Sequence, residues 1–186
     1  MAKGNLVLFS GPSGVGKDTV LDVLIEKSPK IQKSISMTTR ERRNGEIEGV
    51  DYYFTSMDTF KEMIDNHEVL EYAQYGKNLY GTPKEPVDLW LDEGKTVILK
   101  IEVQGAAKIK ALYPDALSIF LMPPSMQELE DRLRNRGTEE ENDLAERLQI
   151  AKNEIEKSKD YDFIVVNKTV EDTADAVLQL LKTHIS

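Results

Sequence analysis

The chain has 186 residues, 40% hydrophobic and 31% charged, the make-up of one soluble globular domain with mobile subdomains, and no apolar run is long enough to span a bilayer. It contains no cysteine, which excludes disulfides and thiolate metal sites, and its two histidines, His67 and His184, share no motif with other ligand types and read as surface residues. A formal net charge of −9 argues against a broad nucleic-acid-binding or anionic-membrane surface.

The first apolar run, NLVLFS at 5–10, leads directly into SGPSGVGKDT at 10–19, and KDTVLDVLIEK then continues as a helix. A leader cleaved at this point would destroy the glycine loop, so a cytoplasmic location is expected. Next comes TTRERRNGE, where Arg40, Arg42 and Arg43 cluster against the acidic background, as for a small anionic ligand held at one spot or a solvated basic turn. From about 37 to 90 the pattern turns irregular. VDYYFTS and HEVLEYAQYGKNLYGTP, rich in Tyr and Gly, predict short, partly antiparallel strands around a small helix near Phe60–Ile64, an inserted lobe that holds a ligand.

Further buried strands are predicted in TVILKIEV at 96–103, LSIFLM at 117–122 and DFIVVN at 162–167. Between the last two, PSMQELEDRLRNRG opens with a capping box, Ser125 followed by Glu128, and sets Met126, Leu129 and Leu133 on one face. DLAERLQIAKNEIEKS carries Leu144, Leu148, Ala151 and Ile155 along another stripe, and the charged stretch RNRGTEEENDLAER between the two helices is a candidate flap. A last helix starts at the cap Thr169. Strands alternating with helices give an α/β fold, a parallel sheet covered by helices on both faces.

The chemistry is concentrated in the glycine loop. Gly11, Pro12, Ser13, Gly14, Val15, Gly16 and Lys17 satisfy G-x-x-x-x-G-K, after a strand and at the start of a helix, the setting in which backbone N–H groups, the helix N-terminus and a lysine cradle phosphates. Asp18 stands where that pattern has the magnesium-binding Ser or Thr, followed by Thr19. A carboxylate 4 Å from a phosphate charge is repelled by about 4 kcal/mol at an effective dielectric of 20. A magnesium ion between them would reverse the sign, because Asp is a hard-cation ligand, and the first helical turn favours negative charge. Two readings stay open: Asp18 meets magnesium, directly or through water, or it faces solvent while water and phosphates hold the metal.

The motifs SGPSGVGK, SISMTTRERRNGEIEGVDYYF, EYAQYGKNLYGTP, IEVQGA, RLRNRGTE and FIVVN together resemble the guanylate kinase family over essentially the whole length. The resemblance implies a nucleotide-binding parallel sheet with a GMP-binding lobe at 37–90, a lid at 128–150 and a core of 1–36, 91–127 and 151–186. It implies magnesium-dependent transfer of the ATP γ-phosphoryl group to GMP, and to dGMP, as no residue obviously reads the ribose 2′-hydroxyl. Arg40 and Arg43 would fork onto the GMP phosphate, with Tyr52 and Tyr80 completing its shell and Arg42 facing solvent. Glu71 would read the two adjacent guanine donors, a pair adenine lacks, with Ser36 and Thr82 on the remaining base edge. Glu102 would lie near the acceptor and metal. Lys100 occupies the position where the family often has a second acid, and Glu46 matches a family position without an assigned role. On the donor side Arg136 and Arg147 would approach the transferring phosphoryl on closure, Arg132 would lie nearer the adenine, and Asn167 would contact it. Their plain alternative is salt bridging on helix surfaces. ATP and GMP are then the partners, with no nucleic acid and no membrane, and magnesium travels with ATP.

Two rivals are set against this. Guanylate-kinase-like scaffold modules bind phosphorylated peptides but lack a functional glycine loop, which this chain keeps in Gly16 and Lys17. A related kinase for another phosphorylated acceptor, such as a ribose phosphate, would not need Glu71, Ser36 and Thr82 together.

Overall fold

The structure, a computed structural model, describes residues 3–135 and 141–185. Five parallel strands form the main sheet: β1 (Asn5–Ser10), β2 (Ile31–Lys33), β7 (Thr96–Lys100), β8 (Leu117–Met122) and β9 (Phe163–Val166), in the order β2-β7-β1-β8-β9. β1, β7 and β8 show no alternation because both their faces are covered, whereas β9, expected as a buried strand, lies at the sheet edge and leaves Ile164 and Val166 exposed. Val7 and Phe9 of β1 and Ile98 of β7 join the core beneath α1 (Lys17–Lys27) and α7 (Val170–His184), with Leu21, Leu24 and Val177. Leu6 and Leu8, with Val97 and Leu99, join the opposite core, closed by Val87 and Leu91 of α3 (Lys84–Asp92) and by Ile109 of α4 (Val103–Leu112).

A second sheet of four strands, in the order β4-β3-β6-β5, is built from β3 (Met37–Thr38), β4 (Tyr53–Phe54), β5 (Val69–Tyr75) and β6 (Asn78–Pro83). It is mixed: β3 pairs parallel with β4, while the β3–β6 and β5–β6 pairs are antiparallel. The hairpin turn between β5 and β6 uses Gly76 at positive φ. Beside it, α2 (Met57–Asp65) is capped by Ser56, whose Oγ accepts from the Thr59 N–H at 3.0 Å, and it buries Phe60 against Met37 and Leu79. The expected small helix and antiparallel pairing are both present.

The remaining helices are α5 (Met126–Asn135) and α6 (Glu141–Glu156), followed by a 3₁₀ turn at Lys157–Asp160. Leu129 and Leu133 pack with Leu144 and Ala151 along the expected stripes. Ser125 caps α5 by accepting from the Glu128 N–H at 3.1 Å, whereas the Glu128 carboxylate pairs with Arg132 at 3.4 Å. Thr169 caps α7, accepting from the Asp172 N–H at 3.2 Å. Three elements were not expected from the pattern. β2 is a three-residue edge strand with one buried side chain, too short for a periodicity signal. α3 has Pro86 inside it, tolerated because first-turn N–H groups have no helical partner, and α4 runs unbroken although Gly105 in its first turn weakens the helical signal.

The start of β9 is tied to β8 through Asp162. Its Oδ2 accepts from the Ser118 N–H and Oγ, both at 2.8 Å, and from Lys110 Nζ at 2.9 Å, while the Asp162 N–H donates to Ser118 Oγ at 3.0 Å. Partial burial alone would raise the Asp162 carboxyl, but the bonds from Lys110 and Ser118 hold it below the usual carboxylate range. Its contribution is therefore present above the ordinary Asp pKa and is lost as pH falls through the lowered value. Asp162→Ala is expected to destabilise the fold by about 1–3 kcal/mol at pH 7. Urea titration at pH 7 and at strongly acid pH checks this: the gap between variant and wild type closes at acid pH, and an equal gap at both would refute the assignment.

Candidate active site

The glycine loop leaves the carboxyl end of β1, the central strand, where open parallel sheets present their ligand crevice. Gly11, Pro12 and Val15 are buried, Gly14 and Gly16 half-buried, and Ser13, Asp18 and Thr19 exposed. Gly16, the N-cap of α1, has φ 97°, and a Cβ there would stand 2.8 Å from Asn167 Nδ2. Only glycine combines that backbone conformation with so close an approach. Asn167, 3% exposed, clamps the loop: its Nδ2 donates to Val15 O at 2.7 Å, its Oδ1 accepts from Thr173 at 2.9 Å, and its N–H donates to Met122 O at 2.8 Å. Both ends of the amide are thus engaged within the protein. Lys17 Nζ turns over the loop, donating to the carbonyls of Gly11 and of Pro12, the latter at 3.1 Å. Burial pulls this ammonium below its usual range, opposed by the field of Glu154 and reinforced by that of Lys100.

In the second sheet, Arg40 is held before any ligand reaches it. Its Nη2 and Nη1 donate to Glu46 Oε1 and Oε2 at 2.7 and 3.1 Å, a bidentate pair, and its Nη1 also donates to Glu41 O at 2.7 Å. The guanidinium lies 5.5 Å from the Tyr52 ring centroid and 5.8 Å from that of Phe54. Tyr80 stands edge-on to Tyr52 at 6.1 Å. Arg42 and Arg43 are exposed, as the reading of Arg42 anticipated, and the Arg43 N–H donates to Glu46 Oε2 at 2.8 Å. Glu46 therefore ties the Arg40 guanidinium to the backbone at Arg43.

Glu71 and Thr82 face each other in the β5–β6 register, and Thr82 Oγ1 donates to Glu71 Oε1 at 2.9 Å. Burial raises the Glu71 carboxyl above its ordinary value, against the Thr82 bond and the field of Lys108. A Cβ on Gly105 would stand 2.9 Å from Glu71 Oε2, so the glycine of VQGA leaves room for that carboxylate beside α4. Ser36 is half-buried just before β3, its carbonyl accepting from the Tyr53 N–H.

Across the strand ends, Glu102 is the N-cap residue of α4, raised by burial against the field of Lys17. Glu154 of α6 is pushed up to about 7 by burial, with Lys17 pulling the other way and Glu102 adding to the rise. Asp18 accepts from Lys100 Nζ at 2.6 Å and has Lys33 Nζ at 3.9 Å. Among the described residues no group of three His, Cys, Asp or Glu side chains could hold a metal. The hard oxygen donor that the glycine loop carries is the Asp18 carboxylate, a ligand type that magnesium accepts.

On the other side of the loop a cavity of about 360 Å³ is lined by Gly14, Gly16, Arg132, Asn135, Asn167, Lys168 and Val170. Arg132 spans its wall, Nη1 donating to Val15 O and Nη2 to Asn167 O, both at 3.3 Å. Arg147 lies half-buried on α6. Arg136 lies outside the described residues.

The family model described as guanylate kinase matches residues 3–184. The chain is 48% identical over 182 residues to a guanylate kinase of Oceanobacillus iheyensis, covering 98% of this chain and 88% of that one, and 49% identical over 182 residues to that of Lactococcus lactis, covering 98% and 89%. The crystal structure of guanylate kinase from Anaplasma phagocytophilum superposes with a TM-score of 0.80 at 36% identity, covering 100% of this chain and 88% of that one. The chain belongs to the guanylate kinase family. The family's activity, phosphoryl transfer between ATP and GMP, is its activity.

Within that guanylate kinase frame, several contributors were not assigned from sequence. Glu46 was noted without a role, and its bidentate grip on Arg40 supplies one. Gly105 has no local signal that it makes room for Glu71, and Glu154 reads as an ordinary polar residue of its helix. The contact of Asp18 with Lys100 spans 82 residues and could be anticipated only by noticing an acid and a base at two unusual positions.

Glu154 generates a pH test. Its folded-state pKa is raised, so its carboxyl adds most to stability below the unfolded value of about 4.5, and that contribution is lost as pH rises through about 7. Glu154→Gln should leave stability unchanged near pH 4 and make the protein more stable than wild type at pH 8, measured by chemical denaturation at both pH values. An identical difference at the two pH values would contradict the burial of Glu154.

Proposed function

We propose that the two groups of residues on either side of the strand ends divide the guanylate kinase reaction between them. The reading rests above all on the Glu71–Thr82 pair, a half-buried carboxylate beside a buried hydroxyl, which would offer the acceptor side an acceptor for the two adjacent guanine N–H donors. In this reading the lobe at 37–90 binds GMP: Arg40 and Arg43 take its phosphate with Tyr52 and Tyr80, and Glu71, Ser36 and Thr82 take the guanine. Glu102 borders the acceptor. A carboxylate left buried without the guanine pair disfavours adenine strongly, by a factor of about 10⁴.

The loop residues Gly11, Pro12, Ser13, Gly14, Val15, Gly16, Lys17, Asp18 and Thr19 wrap the ATP phosphates with backbone N–H groups and the α1 terminus. The cavity beside Arg132 and Asn167 takes the adenine, Asn167 serving as wall and clamp, and its volume suits a planar base. Magnesium bound with ATP would supply neutralisation of the phosphate charge, and Asp18 would hold it, directly or through water. The GMP phosphate oxygen attacks in line while Lys17, Arg136 and Arg147 align and neutralise the transferring group, so no covalent enzyme intermediate is required. The lid at 128–150 and the lobe close over the core of 1–36, 91–127 and 151–186, and closure excludes the water that would hydrolyse ATP. dGMP is a second acceptor, no nucleic acid or membrane is involved, and the reading assigns the protein to the cytoplasm, where both nucleotides are.

A panel of GMP, dGMP, AMP, CMP and UMP with ATP and magnesium tests the assignment. GMP and dGMP should be used and AMP neglected, and Glu71→Gln should lower kcat/KM for GMP by about 100-fold or more while leaving the KM for ATP nearly unchanged. Equal use of AMP by the wild type, or an unaffected Glu71→Gln, would overturn the guanine-reading role.

A further inference from the structure

Asp18 stands where the G-x-x-x-x-G-K-[ST] pattern has a hydroxyl, and the fold puts it in contact with Lys100. Lys100 ends β7 and Asp18 lies in the first turn of α1, which follows β1. Because β7 pairs with β1, their side chains meet at the crevice, Lys100 Nζ to Asp18 Oδ1 at 2.6 Å, with both partly exposed. Lys33, from β2 on the far side of β7, adds a second ammonium at 3.9 Å from Asp18 and 3.6 Å from Asp22. An exposed ion pair contributes little to stability, so its consequence lies in the field it sets up. Alone, Asp18 would place a negative charge beside the phosphates. Alone, Lys100 would add a positive charge beside Lys17, whose ammonium it already disfavours.

We propose that Lys100 is the resident counter-ion of Asp18, a positioning residue that keeps the glycine loop competent for nucleotide phosphate when no metal neutralises Asp18. The proposal rests on the reading that ATP occupies this loop. Its consequence is specific: ATP affinity depends on Lys100 most strongly in the absence of magnesium, and removing Asp18 removes that dependence. A divalent cation brought with ATP takes over part of the neutralisation, so the pair matters less once magnesium is present.

The test is a double-variant cycle read by isothermal titration of ATP, without GMP, into the full chain at one low ionic strength, in magnesium and in EDTA. Lys100→Met should weaken metal-free ATP binding at least tenfold and binding in magnesium by no more than about threefold. Asp18→Asn should bind metal-free ATP as tightly as wild type or more tightly. The double variant should return to within about threefold of wild type, which also shows that a loss in Lys100→Met is not a loss of fold. Single variants that both match wild type in EDTA, or a double variant as weak as Lys100→Met, would overturn the proposal. With Lys17→Met as reference, the two layers separate. If ATP binds the wild type and Lys17→Met abolishes it while the pair variants are silent, only the counter-ion role falls. If wild type fails to bind ATP, the loop reading falls and the proposal with it.

Discussion

The repulsion between two polyanions is the constraint on which this molecule is arranged. Phosphoryl transfer from one nucleotide to another requires two clusters of negative charge to meet end to end, inside a protein whose own formal charge is −9. The fold answers by collecting cations and N–H dipoles at one rim of the sheet and pairing several of them with carboxylates there. Lys17 and the α1 terminus stand at the end of the central strand, Lys100 at the end of its neighbour, Arg132 against the loop from the far side, and Arg40 in the facing lobe. Each cation has a defined tether: loop carbonyls for Lys17, Asp18 for Lys100, Val15 and Asn167 carbonyls for Arg132, and Glu46 for Arg40. Fixed cations need little reorganisation when the phosphates arrive, which is how such sites gain their effect on the transition state.

The loop itself is held by a chain that runs through the main sheet. Asn167 follows β9 directly, is anchored to β8 through Met122 O and to α7 through Thr173, and grips Val15 O from beneath. Gly16 must lack a side chain for that grip to reach it. Glu71 is similarly placed by the β5–β6 register and admitted by Gly105. In both places a glycine exists for the close approach of a polar side chain, linking the two lobes' chemistry to backbone geometry.

Much of this is legible in the sequence, for physical reasons. Strands buried on both faces read as continuous apolar runs, as β1, β7 and β8 do, while β9 has the same apolar run at a sheet edge where Ile164 and Val166 stay exposed. Helix α5 announces itself by stripe and cap, α6 by its stripe, α7 by its cap and α1 by following the glycine loop, and G-x-x-x-x-G-K marks the phosphate loop because its chemistry fixes residue types at fixed spacing. Edge strand β2 and helices α3 and α4 were missed because Ile31 alone is buried in β2, while Pro86 and Gly105 interrupt the helical pattern. Pairings across the fold have no local signature. The grip of Glu46 on Arg40 and the contact of Lys100 with Asp18 depend on turn geometry and strand order, which the residues specify only collectively.

The most direct measurement is a crystal structure of the full chain with GMP and a non-hydrolysable ATP analogue bound together. The account predicts the GMP phosphate on the Arg40 side, guanine against Glu71, and the triphosphate in the loop beside Lys17, so that the γ-phosphorus faces the GMP phosphate oxygen. Guanine away from Glu71, or a triphosphate outside the loop, would contradict it.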